Sequence, residues 1–257
     1  MTVIGHGTMA YWNPVPAAVF DDWVAALPLT PASRALDVGC GRAELLLRIV
    51  ERYDCRAVGV DVLAPALAEA RREAARRLRA GLLELRNQRF DPECFDRESF
   101  DLVACVGSSH AIGGQEQALR TLAAFVRPGG TLLIGEGYWR CEPAREYLAF
   151  LESDAGELRT HEGHLALARD GGLQVLRTHR ATEAEWSAYE DTYAFNIGSF
   201  VDANPRAPDA GAMRDRIQAW REAHLRWGRH TLGFGLYLLR RPKLSAPGHG
   251  TAAGSAA

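Results

Sequence analysis

The sequence predicts an α/β protein built on a doubly wound, mostly parallel sheet of seven strands. Three observations predict it. Short apolar runs alternate along the chain with longer segments of helical spacing. The runs are continuous rather than alternating, as strands covered by helices on both faces are. Two of them, LDVGCG (36–41) and VGVD (58–61), end in glycine or aspartate. That puts turn-formers and a carboxylate at strand C-termini, the edge where ligands bind in open α/β sheets.

The 257 residues are 47% hydrophobic and 24% charged, enough for one large α/β domain or one domain with a lid. A formal net charge of −2 argues against a bulk electrostatic grip on nucleic acid or membrane. No apolar run approaches the ~18 residues of a membrane span. The N-terminal stretch lacks a basic segment followed by an apolar one. Five cysteines (40, 55, 94, 105, 141) form no CxxC pair, an odd set suited to reduced thiols. The expectation is a cytoplasmic chain, monomer or homodimer, with no metal.

The elements follow in order. Residues 1–15 are rich in glycine and aromatics and read as irregular. Helical spacing at 16–27 ends at Pro28 and Pro31. Strand 34–38 leads into helix 44–52, and strand 57–60 into helix 64–80, an Ala/Arg/Glu stretch stopped by Gly81. Strands 82–85 and 101–106, helix 115–125, a turn at RPGG (127–130) and strand 131–135 complete the regular half. The second half gives a helix at 160–171, a strand at 173–177, two long helices at 183–203 and 209–228, and a last strand at 233–239. The division expected is an N-terminal helical lid segment (1–30), a core (31–182), a helical lid insertion before the last strand (183–230), that strand (231–241), and a disordered small-residue tail (242–257).

In LDVGCGRAE (36–44), glycines 39 and 41 allow a tight turn and close approach to a ligand, and the helix that follows aims its N–H groups at it. Asp61, about twenty residues on, suits the two hydroxyls of a ribose. Alone, the glycine pair is a strand-to-helix turn and Asp61 a helix cap; together with Asp37 they favour nucleoside binding. Glu44 stands where a dinucleotide fingerprint has its third glycine, a poor site for pyrophosphate. An acidic loop facing a nucleoside points instead to one that carries an amino acid.

LDVGCGRAE, VGVDV, FDLVACVG (100–107) and VRPGG (126–130) follow, in order, the motifs of class I S-adenosylmethionine-dependent methyltransferases, which the chain resembles over about residues 30–180. The rest resembles a bacterial small-molecule branch of mostly unassigned substrate. It shows His6 with Asn13-Pro14, GE-x-YWR (135–140), W-x-x-YE (186–190) and LG-x-G (232–235). The resemblance implies a Rossmann-like methyltransferase fold and S-adenosylmethionine as cofactor. It implies Asp37, Gly39 and Gly41 around the methionine part, Asp61 on the ribose and Val62 on the adenine. Gln88 and Arg89 then flank the adenine edge, with Gln88 where an Asp is frequent, and Val106 and Gly107 approach the sulfonium and its amino group.

Methyl transfer is a displacement that needs alignment, and a base only where the nucleophile holds a proton. His110 follows the fourth strand and is a candidate base; the alternative is a residue that caps the next helix or lines the pocket. Glu136 is a candidate for holding an amine, or for accepting from a neighbouring loop N–H. Trp186, Tyr189, Glu190 and Tyr193 share a helical face, read either as lid core or as an aromatic wall, with Tyr189 a third catalytic candidate. Tyr11, Trp12, Asn13, Tyr138, Trp139, Trp186 and Tyr193 are the candidate substrate contacts. HEGH (161–164) is not a metal motif. The reading is methyl transfer to nitrogen or oxygen of a small molecule. The alternatives are C-methylation or another group transfer from the same cofactor, and a non-catalytic cofactor-binding regulator.

Overall fold

The inner strands are largely apolar, whereas the two edge strands, LELRN (83–87) and QVLRTHR (174–180), carry polar residues as well. In the computed structural model, which describes residues 1–243, the strands are β1 (Arg34–Val38), β2 (Arg56–Asp61), β3 (Leu83–Asn87), β4 (Phe100–Val106), β5 (Val126–Trp139), β6 (Gln174–Arg180) and β7 (Leu232–Arg240). They form one sheet in the order 3-2-1-4-5-7-6. All neighbours are parallel except β7, which runs antiparallel to both β5 and β6. The strand order reverses between β1 and β4. That gap is the topological switch point, and it sets where a ligand can enter.

The helices are α1 (Thr2–His6), α2 (Ala17–Ala25), α3 (Glu44–Tyr53), α4 (Ala64–Arg77), α5 (Gln115–Ala123), α6 (Arg145–Leu151), α7 (His161–Asp170), α8 (Glu183–Ala203) and α9 (Ala210–Ala223). The alternation of side chains along each strand divides the core in two. Ala35, Leu102, Ala104, Leu133, Leu236 and Leu238 pack one face under α2, α3 and α4. Leu36, Val103, Cys105, Leu132, Ile134 and Leu239 pack the other under α5 and α7. Doubly covered strands can be apolar at every position, which is why they read as unbroken runs.

The chain departs from the sequence expectation at a few places. Residues 2–6 are helical rather than irregular, and His6 lies on the helix they form. RPGG is absorbed into β5 as a break in register: Phe100 pairs with Val126, but Leu102 pairs with Thr131. Gly129 takes the positive φ (+83°) that this bulge needs. β5 runs on past Gly135 to Trp139, held there by β7. α6 had no sequence signal beyond seven residues after a proline. The stretch 209–228 is α9 followed by a π-helical turn at His224–Gly228. Of the expected tail, residues 244–257 lie outside the described residues.

α8 and α9 form the insertion between β6 and β7. A capping box starts it, with Thr182 accepting from the Glu185 N–H and Glu185 accepting from the Thr182 N–H. Ile197, Val201, Met213 and Ile217 make a small separate core, joined by Ile4 of α1. No helix among the described residues is long and apolar enough to cross a membrane.

The LG-x-G motif has a packing explanation. A Cβ on Gly233 would collide with the ring of Tyr138, and one on Gly235 with the hydroxyl of Tyr237. Gly233→Ala should therefore lower unfolding stability by about 1–3 kcal/mol, as overpacking does. Urea unfolding checks it, and the loss should shrink in a Tyr138→Ala background.

Candidate active site

The C-terminal ends of β1, β2, β3 and β4 surround a cavity of about 660 Å³, within the range of small-molecule sites. Its floor is the turn after β1. Gly39 (φ +76°) and Gly41 (φ +54°) take conformations that side chains disfavour. A Cβ on Gly39 would also strike Ser108, whereas one on Gly41 would make ordinary contact with the Trp12 ring at 3.6 Å. The turn is stitched to β2 by hydrogen bonds from the Gly39 and Cys40 N–H groups to the Val60 carbonyl at 2.8 and 3.2 Å.

Asp61 ends β2. One carboxylate oxygen accepts from the Gly41 N–H at 2.7 Å and the other from the Leu63 N–H at 2.8 Å. A carboxylate has about four lone-pair positions, so two remain for ligand hydroxyls. The cap function and the binding function coexist in one residue.

Asp37 is in a different position. It is 4% exposed, accepts no hydrogen bond among the described residues, and lies near Asp61. Burial first, and the Asp61 charge second, push its pKa up to about 7. Glu44, also on the cavity wall, is held by Arg48 Nε at 2.7 Å and Arg77 Nη1 at 2.8 Å. Two guanidiniums thus engage its charge, whereas neither Asp37 nor Asp61 has an ion-pair partner among the described residues.

The remaining walls come from the other strand ends and the N-terminal segment. Gln88 and Arg89 follow β3, and Val106 and Gly107 end β4. Val62 is an exposed apolar side chain (59%) at the wall. Exposed His110 lies on the 3-10 turn Ser109–Ile112 and also lines the cavity. Tyr11, Trp12 and Asn13 close the other side. The Tyr11 hydroxyl and the Trp12 indole N–H are buried without a hydrogen-bond partner among the described residues.

The other expected contacts lie elsewhere. The Tyr189 hydroxyl meets His6 Nε2 at 2.9 Å, outside the cavity lining. Tyr193 packs its ring on Gly5, and Trp186 is buried with its indole donating to Glu190 at 3.2 Å. Glu136 is buried beside Ser109 and Gln115, with Oε1 unpartnered and its pKa pushed up to about 7 by burial. Tyr138 and Trp139 line a second cleft. Sequence reading did not single out Arg42, Ser108 or His6 as site residues. His6 stacks on Trp12 (centroids 4.5 Å, 9° between planes), and Arg42 Nη1 donates to the Gly7 carbonyl at 2.8 Å. Each left a trace only as part of a motif: His6 with Asn13-Pro14, Arg42 in LDVGCGRAE and Ser108 in the VGSSH stretch after β4.

Among the described residues no group of three or more His, Cys, Asp or Glu is placed to hold a metal. His164 is buried with Nε2 at 3.1 Å from the Gly137 carbonyl.

A glycine cradle with two carboxylates at the switch point of a 3-2-1-4-5-7-6 sheet is an arrangement suited to a nucleoside. Residues 35–130 match the sequence model of the methyltransferase domain. The fold is that of an S-adenosylmethionine-dependent methyltransferase from Thiobacillus denitrificans solved with S-adenosyl-L-homocysteine, at TM-score 0.82 and 26% identity over 92% of this chain and 96% of that one. The chain is an S-adenosylmethionine-dependent methyltransferase, with its methyltransferase domain matched at residues 35–130. It is similar to the uncharacterized protein YjhP of Escherichia coli, 27% identical over 88% of this chain and 92% of the relative. It is also similar to the 27-O-demethylrifamycin SV methyltransferase of Amycolatopsis mediterranei, 27% identical over 78% and 73%.

A carboxyl with its pKa raised from 3.8 to about 7 binds more protons folded than unfolded between those values. Stability therefore falls as pH rises through that window, by up to about 4 kcal/mol. Asp37→Asn removes the ionisation. The variant should melt above the wild type at pH 8, with the gain shrinking toward pH 5 in a calorimetric pH series.

Proposed function

We propose that this enzyme methylates a nitrogen or oxygen of a small molecule held in the cavity above the glycine turn. The observation that carries the reading is Asp37: a buried carboxylate on a ligand-sized cavity with no cation of the protein's own beside it. A ligand that brings a positive charge removes the cost of ionising it. The cofactor does so, and when bound it supplies a methyl group on a sulfonium leaving group.

The chain's own residues then divide the work. Asp37, Gly39 and Gly41 hold the amino-acid end, the glycines because their backbone can come close without a Cβ. The free lone pairs of Asp61 accept from ribose hydroxyls, Val62 covers the adenine, and Gln88 and Arg89 border its edge. Val106 and Gly107 shape the floor near the reacting centre. His110, past β4 and on the cavity lining, orients the acceptor or takes its proton at a ring nitrogen in this reading. Glu136, off the cavity lining, supports Ser109 and the turn that carries His110.

Residues 1–30 and 183–230 act as the lid over the core at 31–182 and 231–241. The support is a chain of contacts: Tyr189 on α8 bonds His6, His6 stacks on Trp12, and Trp12 lies against Gly41. Asn196 of α8 donates to the Gly5 carbonyl at 2.9 Å. Enclosure excludes water and favours a small acceptor over a polymer surface. The rifamycin methyltransferase that this chain resembles acts, by its name, on an oxygen of a small molecule.

Calorimetric titration with S-adenosylmethionine and S-adenosylhomocysteine tests the site. Binding on the order of micromolar is expected, weakened at least tenfold in Asp61→Asn, whose amide faces backbone donors that need an acceptor. Unchanged binding in the variant would overturn the assignment of Asp61. With an acceptor that yields a product heavier by one methyl, His110→Ala should lower kcat about 10²-fold or more while cofactor affinity stays within twofold. An unchanged kcat would remove the base role.

A further inference from the structure

The GE-x-YWR and LG-x-G motifs and the His161–His164 stretch have no part in the cofactor cavity, yet they meet at one place. Beyond the ends of β5 and β6 lies a second cleft of about 520 Å³, lined by Tyr138, Arg140, Thr160, His161, Glu162 and Arg180 among others. The antiparallel pairing of β5 with β7 places Tyr138 opposite Gly233, and β6 brings Arg180 opposite Gly235. The two glycines are what let the Tyr138 and Tyr237 side chains lie there.

We propose that this cleft binds the carboxylate or phosphate group of a small anionic molecule. Its polar lining is mainly a set of donors without acceptors. Tyr138 is only 5% exposed, and its hydroxyl makes no hydrogen bond among the described residues although it borders the cleft. Neither Arg140 nor Arg180 meets a carboxylate at ion-pair distance among the described residues. The Arg140 guanidinium is steadied by one bond, 2.8 Å to the Ala181 carbonyl, which leaves its other N–H groups free. His161 stacks on Tyr237, with Nδ1 at 3.0 Å from the Tyr237 hydroxyl. A neutral imidazole that accepts at Nδ1 carries its proton on Nε2, a further donor. Thr160 caps α7, and the N-terminal end of that helix faces the same space. Glu162 is the one acid on the lining; it is exposed, forms no ion pair among the described residues, and acts on His161 against the Arg180 charge, so two guanidiniums face one carboxylate.

Two guanidiniums, a phenol and an imidazole N–H suit a planar or tetrahedral oxyanion and leave a cation unserved. Burial and the Arg180 charge both hold the His161 pKa below its usual value, so an anion seated between them should raise it.

The full-length protein is titrated with inorganic phosphate and with glycerol phosphate at constant ionic strength, by calorimetry and by the NMR signals of the histidine rings. Saturable one-to-one binding is expected, with an upward shift of the His161 pKa. Affinity should fall at least tenfold in Arg180→Gln and about threefold in Tyr138→Phe, and be unchanged in Asp37→Asn, whose change is confined to the cofactor cavity. Equal affinity for the two probes assigns a free oxyanion, and a tenfold preference for glycerol phosphate assigns an organic anion. No saturable binding, or binding that survives both Arg180→Gln and Arg140→Gln, would overturn the proposal.

Discussion

One carboxylate organises the binding edge. The Asp61 side chain accepts from Gly41 on the turn after β1 and from Leu63 at the start of α4. Its main-chain carbonyl accepts from Gln88 at 3.0 Å and from the Asn87 amide at 3.1 Å, past the end of β3. A single residue thus ties three neighbouring strand ends. Hydrogen bonds to a charged acceptor contribute about 1.5–3 kcal/mol each, enough to hold glycines that would otherwise sample many conformations.

That arrangement explains the contrast with Asp37. Both carboxylates are buried at the same edge, and among the described residues Asp61 meets two backbone donors while Asp37 meets none. Desolvation therefore falls on Asp37, and the nearby Asp61 charge adds to it. Protonation relieves that cost in the free protein, and in the proposed reading a cationic ligand relieves it in the complex. Preorganised strain of this kind belongs at a functional site, where stability is given up for affinity. The lining from the N-terminal segment completes the site from the other side, through the stacked His6–Trp12 pair. His6 itself is buried and neutral, its pKa lowered to about 4, so this contact does not titrate near neutral pH.

Much of the fold was legible because doubly covered strands and amphipathic helices leave local patterns. β1 and α8 have the bounds the sequence suggested, since each starts or stops at a residue with its own chemistry, Gly39 for one and the Thr182 capping box for the other. The turn residues of the cofactor cavity were legible for the same reason: topology alone takes strand ends to one edge. What was not legible rests on distant partners. β5 continues through Gly135 and Gly137, poor strand formers, because β7 supplies its hydrogen bonds. Tyr189 sits outside the cavity because His6, 183 residues away, occupies the place beside it. Tyr138 turns to a different cleft because Gly233 makes room for its ring. No window of local sequence carries those pairings.

The central claim is that Asp37 is held protonated until a cation arrives, and proton release on binding tests it most directly. The measurement is calorimetric binding of S-adenosylmethionine at pH 6 in buffers of different ionisation enthalpy. With a free-state pKa of about 7, the account predicts close to one proton released per cofactor bound, and none in Asp37→Asn. Binding of the wild type with no proton released would contradict it.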